Sequence, residues 1–370
     1  MRILIAPDKF KGSLDARKVA ENIAKGLRDA LPNAKMDIVP MADGGEGTAE
    51  VICGALEGSL LKCRAHDPLG REIVGRYAWI EKRRLAVMEM SEAAGMRRLH
   101  ESERNPIHAN TVGVGEMLLD AAHRDAKEII IGLGGSATND GGFGMARALG
   151  FRFFKDEQEF SGAISDLVRL NRIEKPHGLR LPEIAAAVDV RNPLLGANGA
   201  TRVFGPQKGA SKDDHDILEC ALTRLADVVA KECGFDYRGK PGAGAAGGLG
   251  FGLMSFCQAQ IRPGFDVVAG AVGLASKMKH VDLVITGEGS LDRQTLEGKT
   301  PSGVARMARK LGKRVFAIAG RSDGSRQVRE LFEEIYELTQ PGMSENEQMQ
   351  HTPELLREKA RELATKLYGI

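Results

Sequence analysis

Apolar and polar positions follow two rhythms along this chain, and each change of rhythm marks an element. Residues 2–6 are a short continuous apolar run, the pattern of a parallel strand buried on both faces. Beyond the loop PDKFKG, Val19, Ile23, Leu27 and Leu31 recur every four residues, which predicts a helix with one buried face. Ser13 is placed to cap its start, and Pro32-Asn33 ends it. Residues 35–40 read as a second strand, and the ADGGEG loop at 42–47 leads into a helix ending near Gly58. The C-terminal third repeats the rhythm. A strand at 281–286 runs into the loop GEGSLDRQTLEGK, after which Thr300 and Pro301 read as an N-cap and a first-turn proline. That helix turns Val304, Ala308 and Leu311 inward and stops at Gly312, a C′ glycine. Strands at 314–319 and 334–338 follow, then a terminal helix from Thr352-Pro353 with Leu356, Ala360, Leu363 and Leu367 inward.

Two strands from the N-terminus and three from the C-terminus complete a five-stranded, doubly wound parallel sheet, one discontinuous α/β domain. Its expected extent is 1–60 plus 265–370, with 61–264 as a second, inserted α/β domain. The insert opens with hairpin-compatible strands at 60–63, 73–79 and 85–90, and Lys82-Arg83-Arg84 reads as a solvated hairpin turn. Thr111 is placed to cap a helix to about His123, and a strand at 128–132 enters a glycine-rich turn before a helix through Leu149. A strand at 184–190 and a charged helix at 213–233 come next; GKPGAGAAGGLGFG, at 239–252, is too glycine-dense to assign.

Composition narrows the function. Lys and Arg total 52 against 50 Asp and Glu, a net charge of +2 that argues against nucleic acid or an anionic membrane as partner. Gly is the outlier at 45 of 370 residues, which points to tight turns and close backbone approaches to a ligand. The five Cys show no CxxC spacing and the eight His no ligand spacing, so neither a disulfide framework nor a structural zinc site is expected. Pro7 and Asp8 interrupt the first apolar run, and no stretch reaches the roughly 18–20 apolar residues of a membrane span. A cytoplasmic location is the expectation.

The strongest chemical feature is GLGGSATNDGG at 132–142, directly after three isoleucines. A strand entering a glycine-rich turn at a helix start presents backbone N–H groups, together with the helix dipole, to a phosphate or other anion. Ser136, Thr138 and Asn139 add neutral polar groups, while Asp140 either caps the helix or helps to hold Mg²⁺. A tight β–α connection needing glycine only for its dihedrals is the plain alternative. Gly298-Lys299-Thr300 is no Walker A, because its required first glycine falls at Arg293. Gly132-x-Gly134-x-x-Ala137 does fit a dinucleotide turn, as does Gly242-x-Gly244-x-x-Gly247, the latter after a polar segment.

A second constellation lies in the loops after the parallel strands. It comprises Asp8, Lys9, Lys11 and Ser13 after the first strand, Asp43 and Glu46 after the second, and Glu288, Ser290 and Asp292 after the third. Ligands of open α/β sheets lie beyond these strand ends, where strand order reverses. Lysines there suit a carboxylate or phosphate; carboxylates suit a base or Mg²⁺. Asp189, at the end of IAAAVDV, and Lys208, in FGPQKG, are further candidates; each also reads as an ordinary turn or surface residue.

With these residues in view, the chain resembles the class I glycerate kinase family, the bacterial glycerate 2-kinase type. The resemblance covers nearly the whole length in seven blocks in the family's order: IAPDKFKGSL at 5–14, ADGGEGT at 42–48, GLGGSATNDGG, DVRNPLLGANGA from Asp189, FGPQKGA from Phe204, AGAAGGLGFG from Ala243 and ITGEGSLDRQT at 285–295. It implies one flavodoxin-like and one inserted α/β domain, with ATP and Mg²⁺ used to phosphorylate D-glycerate at the 2-position. Lys9 departs from the family, which often has Ser there. Joined to the residue reading, Gly134, Gly135, Ser136, Thr138, Asn139 and Lys208 are expected at the ATP phosphates. Asp8, Lys9, Lys11 and Asp43 are expected at the substrate. Asp189, Glu288 and Asp292 are expected at the proton, with Asp189 and Glu288 also facing Mg²⁺. An NAD-dependent hydroxy-acid dehydrogenase and a non-catalytic small-acid sensor are the rivals, and a homo-oligomer is left open.

Overall fold

In the computed structural model, which describes residues 1–160, 162–340 and 342–368, the apolar runs from both ends of the sequence pair with one another. The chain forms two units: Met1–Asp43, Glu50–Leu56 and Pro263–Ile370 in the first, Gly44–Ala49 and Glu57–Arg262 in the second.

The first unit's sheet has five strands among the described residues, all parallel, in the order Lys35–Ile38, Arg2–Ile5, Leu283–Thr286, Arg314–Ala319, Ile335–Glu337. Numbered along the chain this is 2-1-3-4-5, the flavodoxin order, with its switch point between the first and third strands. Side chains alternate across a strand, so Ile3, Ile5, Leu283, Ile285, Phe316 and Ile318 share one face. There they pack on Val19, Ile23 and Leu27 of the helix Ala16–Ala30 and on Leu356 and Leu363 of the helix Thr352–Tyr368. The helix Thr300–Lys310 packs against Leu283–Thr286 and Arg314–Ala319 and buries Val304 and Ala308. Gly312 follows it at φ +67°, the left-handed C′ position expected.

One cap differs from expectation. The first helix begins at Ala16, and Asp15, not Ser13, caps it by accepting the Lys18 amide at 2.8 Å. Phe10 and Leu14 close a tight loop through paired backbone bonds of 2.9 and 3.0 Å, which delays the helix and turns the Ser13 hydroxyl to Met349 O at 2.9 Å.

The second unit carries a six-stranded sheet among the described residues. Ser59–His66, Glu72–Ile80 and Leu85–Glu89 form an antiparallel meander; Glu128–Gly132, Glu183–Ala187 and Gln260–Arg262 continue it in parallel. Gln260–Arg262 and a small sheet of Arg152–Lys155, Gln158–Glu159 and Arg172–Glu174 have too few residues to show a period in the sequence. The charged helix is Lys212–Cys233, capped by Ser211 and Asp214 in a reciprocal capping box. The unassigned glycine run becomes Ala245–Cys257, in which Ala246, Gly247 and Gly248 at φ 53°, 67° and 86° break the regular helix.

Gly26 sits mid-helix, and a Cβ there would stand 2.2 Å from Arg357 O and 2.8 Å from Ala360 Cβ. Ala gains about 1 kcal/mol of helix propensity over Gly, whereas overpacking costs about 1–3 kcal/mol. Contact with rigid backbone favours the upper end of that range. Gly26→Ala is therefore expected to lower stability by about 1–2 kcal/mol in denaturant unfolding; a gain would mean that the two helices separate freely.

Candidate active site

At the carboxyl edge of the first unit's sheet, backbone bonds draw the loops after the first and third strands together. The Asp8 amide donates to Gly287 O at 2.8 Å, and the Thr286 hydroxyl donates to Ala6 O at 2.8 Å. Asp8 is almost buried, at 5 % exposure. Its Oδ2 accepts the Thr300 hydroxyl at 2.6 Å and its Oδ1 the Lys9 amide at 2.7 Å. Burial, and then the nearby Asp43 carboxylate, hold the Asp8 carboxyl well above the usual range; the Thr300 and Lys9 contacts pull it partly back. Glu288 is buried too, and its Oε1 accepts the Thr295 hydroxyl at 2.7 Å. Burial pushes Glu288 up to about 7, against the Thr295 bond and the Lys299 charge. Thr295 is held in turn by the Asp292 amide at 3.1 Å.

The structure thus gathers Asp8, Asp43 and Glu288, and ties Asp292 to them through Thr295. Lys9 is half-buried beside Asp8, while Lys11 is exposed. Thr300 corrects the sequence reading: Lys299 occupies the cap position and Thr300 is the first helical residue. From there its hydroxyl donates to Asp8 Oδ2 in place of accepting a helix amide as a cap would. Thr295 and Thr300 went unrecognised because hydroxyls 7 and 292 residues from their carboxylates carry no sequence signal of contact.

In the second unit the glycine turn leaves Glu128–Gly132 and is fixed from several sides. Gly135 O accepts the Met96 amide and the Ala137 amide donates to Ala94 O, each at 2.9 Å. The Asp140 carboxylate, 1 % exposed, accepts the Thr111 amide at 2.9 Å, the Thr111 hydroxyl at 2.7 Å, and the Gly142 and Gly144 amides at 3.1 and 3.0 Å. Thr111 accepts the Met145 amide at 2.9 Å, so its hydroxyl serves this network and does not cap its own helix. These bonds occupy the first amides of the short helix Phe143–Ala148. That corrects the expected contribution of a helix end: Asp140 caps it, and with four donors has no role left at Mg²⁺.

Upstream the picture is different. The amides of Gly134, Gly135, Ser136, Thr138 and Asn139 meet no acceptor among the described residues. Thr138 Oγ1 and Asn139 Oδ1 are likewise buried without a partner. Gly135 is exposed, Gly134 half-buried, and Ser136, Thr138 and Asn139 buried. Lys208 lies under the turn at 1 % exposure, and its ammonium donates to Thr138 O at 2.7 Å. Gly247 closes on the same carbonyl: at φ +67°, a Cβ would stand 1.9 Å from Thr138 O, so the AGAAGGLGFG block is a close-packed support. Glu89, at the end of the neighbouring strand, accepts the Gly47 and Ala49 amides at 2.9 and 3.1 Å and pins part of the ADGGEGT block to this unit. Asp189 is exposed just beyond Glu183–Ala187, whose last carbonyl accepts the Leu133 amide at 3.2 Å. It therefore leaves the same sheet edge as the turn.

The model of the glycerate kinase family matches residues 3–368. A glycerate kinase of Halalkalibacterium halodurans is 41 % identical over 98 % of this chain and 97 % of its own. The glycerate 2-kinase of Escherichia coli is 43 % identical over 86 % of this chain and 85 % of its own. The crystal structure described as glycerate kinase 2 from Salmonella typhimurium superposes with a TM-score of 0.90 at 37 % identity, covering 100 % of this chain and 98 % of that one. The chain belongs to the glycerate kinase family.

As a member of the glycerate kinase family it is an enzyme, a phosphotransferase with an alcohol acceptor, and the dehydrogenase and sensor readings give way. No helix among the described residues is long and apolar enough to cross a membrane. Among the described residues no three His, Cys, Asp or Glu side chains are gathered as a metal centre. The oxygen donors present suit Mg²⁺, which typically takes one or two carboxylates and completes its shell with water and substrate phosphate.

Asp140 is the residue on which the turn's path rests. Asp140→Asn would set an amide group against N–H donors in a dry site, a loss on the order of 3 kcal/mol. A lowered unfolding midpoint with an intact far-ultraviolet spectrum is expected; an unchanged midpoint would show that the turn is held by other means.

Proposed function

We propose that this glycerate kinase transfers the γ-phosphoryl group of Mg·ATP to the 2-hydroxyl of D-glycerate. The observation that carries the nucleotide half is the set of acceptor-free amides at Gly134, Gly135, Ser136, Thr138 and Asn139. Orphaned N–H groups are rare in folded chains and point to an anion that completes them. The name of the Escherichia coli relative supports the 2-hydroxyl.

Phosphoryl transfer asks for positioning and charge neutralisation more than for covalent help. In this reading Gly134, Gly135 and Ser136 hold phosphate oxygens at the accessible side of the turn, with Thr138 and Asn139 behind them. Asp189, on the turn's own sheet edge, would offer a carboxylate oxygen to Mg²⁺ bound with ATP, which would supply neutralisation of phosphate charge. Glu288 is an oxygen donor of the same type, but Thr295 occupies one of its oxygens and Asp8 lies near. The pair Asp8–Glu288 is assigned to the hydroxyl proton. Lys9 and Lys11 meet the glycerate carboxylate, Asp43 a hydroxyl, and Asp292 positions Thr295.

A coupled ADP-release assay with D-glycerate, followed by phosphorus NMR of the product, tests the reading: 2-phospho-D-glycerate is expected, and a 3-phospho product would overturn the regiochemistry. Asp8→Asn and Glu288→Gln should each lower kcat by about 100-fold or more, the scale of a lost general base. A base acts deprotonated, so wild-type kcat should rise with pH through about 7, the value to which burial lifts Glu288. A flat profile between pH 5.5 and 8 would remove the pair from the proton transfer.

A further inference from the structure

Lys208 is the one lysine among the described residues that is buried, and no nucleotide can touch an ammonium so enclosed without the turn moving. Its hydrogen bond to Thr138 O, 2.7 Å long, gives it another route. The peptide joining Thr138 to Asn139 is trans, as all described bonds are, so its C=O and N–H point in opposite directions. A cation drawing on the oxygen aims the Asn139 N–H away from Lys208 and polarises it as a donor. Such coupling along one hydrogen-bonded unit is strongest where water is excluded, and both residues are fully buried.

The charge that acts on Lys208 comes from the turn itself. Asp140 faces it from the turn, but that carboxylate already accepts four hydrogen bonds. Arg104 packs its carbonyl against Gly209, and His215 packs its ring against Gly205, on either side of Lys208. No carboxylate is hydrogen-bonded to the ammonium among the described residues, where its partner is the Thr138 carbonyl, which is unusual for a buried cation. An anion bound above the turn would supply the missing counter-charge.

We propose that Lys208 is a positioning residue that acts through the Thr138 carbonyl, orienting and charging the turn from behind, and that nucleotide binding takes up a proton at it. The proposal rests on the reading of the turn as the phosphate site. Burial lowers the Lys208 pKa to about 7, with Asp140 opposing, so part of the population is neutral before an anion arrives near neutral pH. A nearby phosphate favours the ammonium and draws the proton in.

The sequence supplies its own probe, because Thr-Asn occurs once, at 138–139. Full-length protein carrying carbonyl-¹³C threonine and ¹⁵N asparagine gives one carbonyl-to-amide correlation, from this peptide alone. In the wild type that signal is expected to titrate near neutral pH and to move when Mg²⁺ and a non-hydrolysable ATP analogue are added, with the midpoint shifting upward. Calorimetry in buffers of different ionisation enthalpy should then register proton uptake. Lys208→Met should abolish the titration and raise KM for ATP at least 10-fold with KM for glycerate held within 2-fold. Lys208→Arg should recover most of the affinity without restoring the titration, and His215→Gln should leave the titration in place.

A signal that titrates unchanged in Lys208→Met, or a wild-type KM for ATP in that variant, would overturn the proposal. If Lys208→Met fails to fold, wild-type titration and Lys208→Arg decide it: a wild-type signal flat from pH 6 to 9 overturns the proposal. A wild-type signal that titrates yet ignores the nucleotide overturns the phosphate reading of the turn, and the nucleotide-linked role of Lys208 with it. That failure is distinguishable because the Lys208-dependent titration itself would remain.

Discussion

One buried carboxylate fixes the backbone between Thr111 and Met145. Asp140 accepts hydrogen bonds from two amides that follow it and from the amide and hydroxyl of Thr111, so its negative charge is solvated by the protein itself. Such a carboxylate tolerates burial only while every donor stays in place. The consequence runs outward. With the downstream amides committed to Asp140, the turn keeps its upstream amides free, and Lys208 and Gly247 hold the Thr138 carbonyl from behind. Donors are committed on one side of the loop and unpaired on the other.

The first unit buries carboxyls as well, with fewer donors to hold them. Asp8 and Glu288 each have hydroxyl partners, Thr300 and Thr295, but far fewer donors than Asp140. Two under-solvated carboxyls near Asp43 repel one another, and the protein meets part of that strain by raising their affinity for protons. Burial raises the Asp140 pKa too, but four donors oppose that rise, whereas Asp8 and Glu288 have fewer to do so. Lys9 adds a charge beside Asp8 that favours its ionised form, offsetting part of what Asp43 does. A serine at this position would lack that charge.

Much of this fold was legible because its cause is local. The four-residue period of Val19, Ile23 and Leu27, the continuous apolar run before Pro7 and the glycine after Leu311 each act within one element, and each element formed. The five-strand count followed from the same runs. What escaped notice depends on partners distant in sequence. By spacing Ser13, Thr111 and Thr300 each read as a cap, yet their hydroxyls go to Met349, Asp140 and Asp8, and only Thr111 holds a cap position. Spacing cannot rank a local amide against a partner 292 residues away. The glycine-dense block escaped for a related reason: Gly247 is explained by the Thr138 carbonyl against it, not by its neighbours in the chain. Among the candidate site residues, spacing named the Asp8, Asp43 and Glu288 loops but not the threonines that orient them.

The acid pocket also sets a direction for stability. Burial lifts the Glu288 pKa from its ordinary 4.5 to about 7, so the folded chain holds its proton more tightly than the unfolded chain does. The stabilisation this gives is complete below the unfolded value and is lost as pH rises through about 7, where the carboxyl must ionise while buried. The difference corresponds to about 3 kcal/mol between the two ends of that window, a sizeable part of a domain's total stability. Asp8 shifts in the same direction and adds to it. A pocket selected for stability alone would replace these carboxyls with apolar groups or complete their donor sets, as at Asp140. Two carboxyls nonetheless remain buried at the flavodoxin switch point, costing most at the pH where the proposed proton transfer would need an ionised base, and this cost to stability is what supports giving them that role.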